Sequence, residues 1–201
     1  MEQIKCVIFD WGGVLIDEPR PYFFRFWANK LAVPVAAYQK AHLPLLAEFE
    51  TGRIDEKVFW SRLCSELNVA EPQNSSLWRE AFEVEYRPRE QMFSLAEKLH
   101  NNGYVVALLS NTEMPSVKFF REQNYDMFDE LIFSCEEGFA KPDRRIYQIA
   151  LERLRIEPGE GLFIDDRDQN IEAAKQLGLQ AVLFESIDQL RGHFNRLGIR
   201  H

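Results

Sequence analysis

The sequence predicts an α/β protein with a doubly wound parallel sheet and an inserted all-helical segment. Short apolar runs of strand length alternate with longer stretches of helical periodicity. This alternation is typical of βα units, whose right-handed crossovers place all strand carboxyl ends on one edge of a parallel sheet. The runs predicted as strands are residues 4–9, 104–109, 130–134, 161–164 and 179–184.

The predicted strands are followed by turn signals and then by helices. The first strand stops at Asp10, and Gly12 and Gly13 permit a tight loop in which the backbone can approach a ligand. The run 104–109 is continuously apolar, which is typical of a central strand buried on both faces. Residues 137–142 are predicted to form a loop. The helices expected in this part of the chain are 89–100, 116–123, 144–154, 171–177 and 187–197.

The segment from residue 17 to residue 86 has a different composition. It is rich in aromatic residues and helix formers and contains few strand-like runs. Asp55 is an expected helix N-cap, since aspartate accepts hydrogen bonds from the free N–H groups there. The helices predicted in this segment are 22–31, 36–50, 56–67 and one that runs from a capping Ser75 or Ser76 to Tyr86. We therefore predict a helical domain, 17–86, inserted into an α/β core formed by 1–16 and 87–201.

Charge and composition argue against several classes of function. The 201-residue chain has a net charge of -8, so binding to nucleic acid or to an anionic membrane surface is not expected. The three cysteines are widely spaced, which favours a reducing compartment over a disulfide framework or a zinc site. Because the sequence contains no basic-then-apolar signal segment and no 18-residue apolar run, we expect a cytoplasmic protein.

Polar side chains with complementary chemistry follow three of the predicted strands. They are Asp10 after the first strand, Ser110-Asn111 after the second and Asp165-Asp166 after the fourth, with Lys141 in a loop between the last two groups. Because parallel strand ends meet at one edge, these side chains are expected to share a pocket. Three carboxylates there would repel one another unless a cation intervened, and oxygen ligands suit Mg²⁺. Three negative charges, a divalent cation and a lysine sum to zero, so the site could accept a phosphate.

These four motifs, in this order, resemble those of the haloacid dehalogenase (HAD) superfamily, specifically of its phosphatase-like members, over the predicted α/β core. The resemblance implies that Asp10 is a nucleophile that attacks phosphorus and forms an aspartyl-phosphate, which water then hydrolyses. It also implies that Ser110 and Asn111 bind phosphoryl oxygens. In the same way, it implies that Lys141 neutralises charge on the nucleophile and on the phosphate.

The same resemblance implies a Mg²⁺ cofactor and a class of substrate. The implied ligands are Asp10, Asp166 and the backbone carbonyl of Gly12, with Asp165 binding the ion directly or through water. Asn170 fits the Asp-Asp-x-x-x-Asn form of the fourth motif. It is expected to contact these ligands without binding the metal itself. The implied binding partner is a small phosphorylated metabolite.

The helical segment matches the position of a superfamily cap. In the superfamily, a helical cap inserted between the first two motifs covers the site and selects substrates. The stretch Glu50-Thr51-Gly52-Arg53-Ile54 resembles the cap turn of a subgroup that contains bacterial sugar-phosphate phosphatases and the phosphatase domain of soluble epoxide hydrolases. Arg53 is therefore a candidate substrate-binding residue, and an exposed arginine at a helix end is the alternative interpretation.

One position departs from the superfamily pattern. Most phosphatases of the superfamily have an aspartate two residues after the nucleophile, which protonates the leaving oxygen and then activates water, and Gly12 stands there instead. General acid–base help contributes about 10²–10⁴ in rate. In one interpretation, water, a cap residue or a good leaving group, as in glycosyl or acyl phosphates, compensates for the missing aspartate. In the other, the protein is a slow catalyst that mainly binds a ligand or partner. A haloacid dehalogenase is less expected, since that chemistry needs no carboxylate pair for a metal.

Overall fold

The computed structural model describes residues 3–73 and 76–201. The strands are β1 (Cys6–Phe9), β2 (Val105–Ser110), β3 (Glu130–Phe133), β4 (Gly161–Asp165) and β5 (Gln180–Leu183). Within the described residues they form one five-stranded sheet in the order β3-β2-β1-β4-β5, and every neighbouring pair is parallel. The predicted α/β fold is therefore confirmed.

Helices follow the strands and also fill the long connection between β1 and β2. They are α1 (Arg20–Lys30), α2 (Val35–Glu50), α3 (Glu56–Leu67), α4 (Leu77–Glu85), α5 (Glu90–Asn101), α6 (Met114–Glu122), α7 (Ser134–Glu137), α8 (Arg144–Leu154), α9 (Asp168–Gln176) and α10 (Ile187–Leu197). Among the described residues, none of these helices is both long and apolar enough to cross a membrane.

The sheet is covered by helices on both faces. Val7 and Phe9 of β1 belong to an apolar cluster that also contains residues of α5, α6 and α10. Cys6 and Ile8 point to the other face and belong to a cluster with residues of α8 and α9. This alternation buries β1 completely, as expected for a central strand of a doubly wound sheet.

The strand register brings the carboxyl ends of the three central strands level. Phe9, the last residue of β1, pairs with β2 on one side and with Ile164 of β4 on the other. Asp10 follows directly and donates its backbone N–H to the Ile164 carbonyl at 2.9 Å. Ser110 and Asp165 are the last residues of β2 and β4. The first, second and fourth motifs therefore lie side by side at one edge of the sheet.

Helices α1–α4 pack around an aromatic core. Trp27 of α1 has its ring centroid 4.1 Å from that of Trp78 of α4 and 5.8 Å from that of Tyr38 of α2. This core continues into the sheet, because Trp11, just after β1, stacks on Phe82 of α4 at 5.3 Å. The helical segment and one face of the sheet therefore share one continuous apolar cluster.

Side-chain caps begin two of these helices. Asp55 caps α3 by accepting a backbone N–H of the first turn at 2.8 Å, as predicted. Ser76 caps α4 in the same way at 3.0 Å. Ser75, the other serine considered as a cap, lies outside the described residues.

Most element boundaries agree with the predictions to within two residues, and two elements differ more. The strand predicted to end at residue 134 ends at Phe133. Ser134 begins the short helix α7, which no sequence pattern predicts. The Ser134 hydroxyl accepts the Thr112 backbone N–H at 2.8 Å, so this residue belongs to a junction between segments. Helix α9 begins at Asp168, three residues before the predicted start at Ile171. The negative charge of Asp168 in the first turn interacts favourably with the positive end of the helix dipole and stabilises this earlier start.

Candidate active site

Asp10 lies where the chain turns away from the sheet after β1. Its Oδ1 accepts the Trp11 backbone N–H at 2.7 Å and lies 2.8 Å from Nζ of Lys141. Its Oδ2 makes no hydrogen bond with another described residue. Burial raises the pKa of this carboxyl to about 7, against the lowering effect of Lys141. One oxygen is thus held in place, and the other is available to a cation or an electrophile.

Lys141 is buried and uses all three of its N–H donors inside the site. Its Nζ lies 2.8 Å from Asp10 Oδ1, from Asp165 Oδ2 and from the Leu109 carbonyl oxygen. Asn111 holds the backbone of Lys141, because its Nδ2 donates to that carbonyl at 2.8 Å and its Oδ1 accepts that N–H at 2.7 Å. Burial lowers the pKa of Lys141, but the two carboxylates outweigh burial and raise it above the usual value. Lys141 is therefore a fixed positive charge between two carboxylates.

Asp165, at the end of β4, is surrounded by hydrogen-bond donors. Besides Lys141, Asn170 Nδ2 lies 3.0 Å from each of its oxygens, and the Arg167 backbone N–H donates at 2.9 Å. Burial raises the pKa of Asp165, but Lys141 and these hydrogen bonds outweigh it and bring the pKa below the usual value. Asp165 is thus an anion that orients Lys141, and Asn170 stabilises that anion.

Asp166 completes a group of three carboxylates with Asp10 and Asp165. One oxygen from each lies within 4.8 Å of the other two. Asp166 Oδ1 is buried and has no hydrogen-bond partner among the described residues. Burial and the charge of Asp165 raise the pKa of Asp166. Asp166 Oδ1 lies 4.0 Å from Arg167 Nε but accepts no hydrogen bond, and together with two further carboxylates it is a donor set that suits a hard divalent cation such as Mg²⁺.

Gly13 lets the loop after β1 pass directly over Asp166. Its φ is +83°, and a Cβ at this position would lie 2.2 Å from Asp166 Oδ2. We expect Gly13→Ala to displace this carboxylate and to weaken Mg²⁺ binding about tenfold or more, because misoriented ligands typically cost 10–100-fold in affinity. Calorimetric titration with Mg²⁺ measures the effect.

Gly103 supplies a matched control for this variant. Its φ is +86°, but a Cβ there would meet no atom within 4 Å. Gly103→Ala therefore shares the backbone strain, about 1 kcal/mol, without touching a carboxylate. If Gly13→Ala bound Mg²⁺ as tightly as Gly103→Ala, the close approach to Asp166 would have no role in the site.

The remaining predicted site residues are Ser110, Gly12, Asn111 and Arg53, and only some of them line the site. Ser110 is buried and, like Gly12, lines a cavity at the strand ends. Both polar atoms of the Asn111 side chain bind the backbone of Lys141, so its predicted phosphoryl contact stays a prediction. Arg53 is exposed and does not line the cavity, and its role in substrate binding also stays a prediction.

The cavity has a volume of about 80 Å³ and is lined by several charged residues outside the four motifs. Glu18 lies 2.6 Å from Arg20 and 3.8 Å from Arg167, so an ion-pair group forms part of the lining. Glu50 and Glu113 contribute two further carboxylates. Arg167 and Glu113 stand within three positions of a motif residue, and that proximity was the available sequence signal. Glu18 and Arg20 lie in the helical segment, where no motif points to them.

A sequence profile described as haloacid dehalogenase-like hydrolase matches residues 4–178, which is most of the chain. The chain belongs to the haloacid dehalogenase-like hydrolases. All the carboxylates of the site, Lys141 and Gly12 lie inside this match. The family assignment made from the four motifs is therefore confirmed.

Two relatives of this HAD protein are phosphatases of similar length. It is 28% identical over 180 residues to the sesquiterpene phosphatase astK of Aspergillus oryzae, covering 87% of each chain. It is 29% identical over 192 residues to the D-ribitol-5-phosphate phosphatase of Bacteroides thetaiotaomicron, covering 88% of this chain and 90% of that one. It is also 31% identical over 189 residues to acyl-CoA dehydrogenase family member 10 of Mus musculus. That match covers 89% of this chain but only 18% of the mouse protein.

Solved structures share the HAD fold along nearly the whole chain. A HAD-like family hydrolase from Porphyromonas gingivalis matches with a TM-score of 0.81 at 23% identity, covering 100% of both chains. A HAD family enzyme from Bacteroides thetaiotaomicron, in complex with magnesium, matches with a TM-score of 0.79 at 24% identity, covering 94% of this chain and 99% of that one. At these identities, the likeness shows a common fold.

Proposed function

We propose that this HAD hydrolase is a Mg²⁺-dependent phosphatase that releases phosphate from a small phosphorylated metabolite. The observation that carries the proposal is the state of Asp10, with one oxygen bound by Lys141 and the other unpartnered among the described residues. Such a carboxylate is arranged for attack on an electrophile. The fixed positive charge beside it suits an electrophile that is anionic, as a phosphoryl group is.

In the proposed reaction, a carboxylate oxygen of Asp10 attacks phosphorus, and an aspartyl-phosphate forms as the bond to the leaving oxygen breaks. Lys141 keeps Oδ1 hydrogen-bonded throughout and balances charge as the phosphoryl group arrives. The Ser110 hydroxyl, which has no hydrogen-bond partner among the described residues, donates to a phosphoryl oxygen. Asn111 holds Lys141 in position. Water then attacks phosphorus, the bond between phosphorus and the Asp10 oxygen breaks, and inorganic phosphate leaves while the proton of the water passes to solvent. Asp10 is thereby restored as a carboxylate.

The proposed Mg²⁺ site consists of Asp10, Asp166 and the carbonyl oxygen of Gly12. Asp165 would bind the ion through water, because each of its oxygens already accepts a hydrogen bond from Asn170. When bound, Mg²⁺ supplies Lewis-acid stabilisation of the charge on the phosphoryl oxygens.

We also propose that residues 17–86 act as a cap over a core formed by 1–16 and 87–201. The cavity is lined by residues of α1, α2 and α4 as well as by the strand ends. The phosphatase relatives act, by name, on a sugar-alcohol phosphate and on sesquiterpenes, so a phosphate ester of a small organic molecule, such as a sugar phosphate, is the proposed substrate. The three cysteines are buried and free, which fits the cytoplasmic location that we propose.

A phosphate-release screen tests this function. Sugar phosphates, nucleotides and acyl phosphates are incubated with the protein and Mg²⁺, and we expect release from at least one class. Robust turnover without a divalent cation would refute the proposal. Release of halide from 2-haloacids, which we do not expect, would instead indicate a dehalogenase.

Gly12 favours a second candidate function, a slow catalyst that mainly binds a phosphorylated ligand or a partner. A glycine side chain cannot transfer a proton to the leaving oxygen, and that help is typically worth about 10²–10⁴ in rate. Binding of Mg²⁺ without turnover on any member of the panel would support this candidate over the phosphatase.

The variant Gly12→Asp tests whether the missing proton donor limits turnover. A Cβ at this position would lie 3.3 Å from Pro19 Cδ, so a small shift of the proline ring accommodates a side chain. We expect hydrolysis of alkyl phosphates to become about 10–100-fold faster, because their leaving groups need protonation. Hydrolysis of p-nitrophenyl phosphate, whose leaving group needs none, should change little. Steady-state kinetics on both substrates measures the difference.

Gly12→Ala is the matched control, since it adds the same Cβ without a carboxyl group. It should leave the ratio of the two rates unchanged. If Gly12→Asp and Gly12→Ala hydrolysed alkyl phosphates equally fast, proton donation at residue 12 would not be limiting.

A further inference from the structure

Two glutamates outside the four motifs line the same cavity as Asp10 and Ser110. Glu50 is the last residue of α2, and Glu113 lies between β2 and α6. They therefore reach the cavity from opposite parts of the fold, one from the helical segment and one from the sheet. The proposed reaction does not use either of them.

The turn that follows Glu50 anchors this residue. Its carbonyl oxygen accepts the Ser134 hydroxyl at 2.5 Å. Two residues later, Gly52 has a φ of +67°, and a Cβ there would lie 2.3 Å from the Cys135 carbonyl oxygen. The turn therefore packs directly against α7, and this contact fixes the backbone position of Glu50. Burial raises the pKa of Glu50, against the lowering effect of Arg167.

Glu113 is held by a hydrogen-bond chain that runs through Ser116 to Trp78. Ser116 Oγ accepts the Trp78 indole N–H at 3.0 Å. When Glu113 is ionised, the Ser116 hydroxyl donates to its Oε2, which lies 3.1 Å away. Glu113 is 8% exposed and lines the cavity, and its Oε1 makes no hydrogen bond with another described residue. Oε1 can therefore accept a hydrogen bond from a ligand in the cavity when Glu113 is ionised.

Within the described residues, no cation forms an ion pair with Glu50 or Glu113. Arg20 lowers the pKa of both glutamates through its charge. Its ion pair, however, is with Glu18, whose Oε1 lies 2.6 Å from Arg20 Nε. Burial and the charge of Glu50 raise the pKa of Glu113 to about 8, with opposition from its hydrogen bonds and from Arg20. Tyr38 and Cys135 also face Glu113, and burial raises the pKa of each well above neutral. Glu113 therefore ionises as the pH rises through about 8.

We propose that Glu50 and Glu113 form an acidic end wall that selects the leaving group of the substrate. The wall accepts a leaving group that is uncharged or cationic and donates hydrogen bonds, and it rejects one with a second negative charge. This inference rests on the proposed phosphatase function. Asp10, Glu50 and Glu113 line one cavity of about 80 Å³, so a leaving group attached to phosphate at Asp10 enters the space that the wall borders.

The size of the effect follows from Coulomb's law. Two carboxylates about 8 Å apart at an effective dielectric constant of about 20 repel enough to reduce binding roughly 30-fold. Other walls of the cavity are aromatic, which makes phenyl phosphates suitable probes. These wall residues are Phe23, Phe24, Trp27, Trp78 and Phe82.

Three probes test the wall: phenyl phosphate, 4-(aminomethyl)phenyl phosphate and 4-carboxyphenyl phosphate. For each we measure kcat/KM with Mg²⁺ for the wild type, Glu50→Gln and Glu113→Gln. Intrinsic leaving-group ability is the same for every variant, so a change in the ratio between probes reports the wall. Above about pH 8, where Glu113 is ionised, we expect the wild type to discriminate against the carboxy probe, relative to the aminomethyl probe, roughly 30-fold more strongly than Glu113→Gln does, and also more strongly than Glu50→Gln does.

Further measurements separate charge from structure. Glu113→Asp retains the carboxyl group and should retain the wild-type ratio. In the wild type, discrimination against the carboxy probe should increase as the pH rises through about 8, because Glu113 becomes negative, and in Glu113→Gln it should stay flat. An unchanged ratio in both Gln variants would overturn the end wall. If the wild type hydrolysed none of the probes and no member of the wider panel, the phosphatase function itself would be refuted.

Discussion

Replacement of Asp10 by asparagine is expected to reduce Mg²⁺-dependent phosphate release by about 10⁴-fold or more, as loss of a catalytic nucleophile does in other enzymes. Asparagine has nearly the same shape, and its Oδ1 can still accept the hydrogen bonds from Trp11 and Lys141. Its amide nitrogen cannot form an acyl-phosphate. Initial rates on the best substrate of the panel measure the loss.

The stability of Asp10→Asn shows whether this loss is chemical. Because burial raises the pKa of Asp10, the contribution of this residue to the free energy of unfolding of the cation-free wild type falls between pH 3.8 and about pH 7, as the unfolded chain ionises first. The variant lacks this penalty, so its melting temperature at pH 8 should equal or exceed that of the cation-free wild type. Retention of a tenth of the activity in a folded variant would contradict a nucleophilic Asp10.

Removal of divalent cations with EDTA is expected to abolish turnover, and excess Mg²⁺ should restore it. Without a cation, the oxygens of Asp10, Asp165 and Asp166 cluster within 4.8 Å, which repels an incoming phosphate. Mg²⁺ at about 100 times its dissociation constant should also add about 2.7 kcal/mol to the free energy of unfolding. Phosphate release and thermal melting, each with and without EDTA, measure both effects.

The pH dependence of Mg²⁺ binding provides the control. Burial raises the pKa of Asp10 to about 7, so Mg²⁺ must displace a proton there, and its affinity should rise from about pH 6 to about pH 8. Asp10→Asn has no such proton and should show a flatter dependence. Full activity in the presence of EDTA, or a wild-type affinity that does not change over this range, would contradict the metal site.

The sequence predicts the sheet and the meeting of its polar strand ends because both depend on local patterns. Apolar runs that alternate with helices permit few topologies other than a parallel sheet. Once β1 lies between β2 and β4, Asp10, Ser110 and Asp165 have to emerge together. The short spacing between Asp165 and Asn170 likewise predicts their contact.

The rest depends on side-chain directions and long-range packing, which no local pattern encodes. Asn111 looks like a ligand-binding residue, yet its amide is used on the backbone of Lys141, thirty positions away. Glu50 and Glu113 share a cavity because α2 ends on a turn that rests on α7. Arg20 lines the cavity and Arg53 does not, although both are arginines of the helical segment.

The central claim is that Asp10 carries the phosphoryl group during turnover. The direct measurement is acid quenching of the wild-type enzyme with substrate and Mg²⁺, followed by digestion and mass spectrometry of the peptide that contains Asp10. The account predicts one phosphoryl group on Asp10 in the wild type and none in Asp10→Asn. Turnover with no phosphoryl group on Asp10, or with one on another side chain, would contradict it.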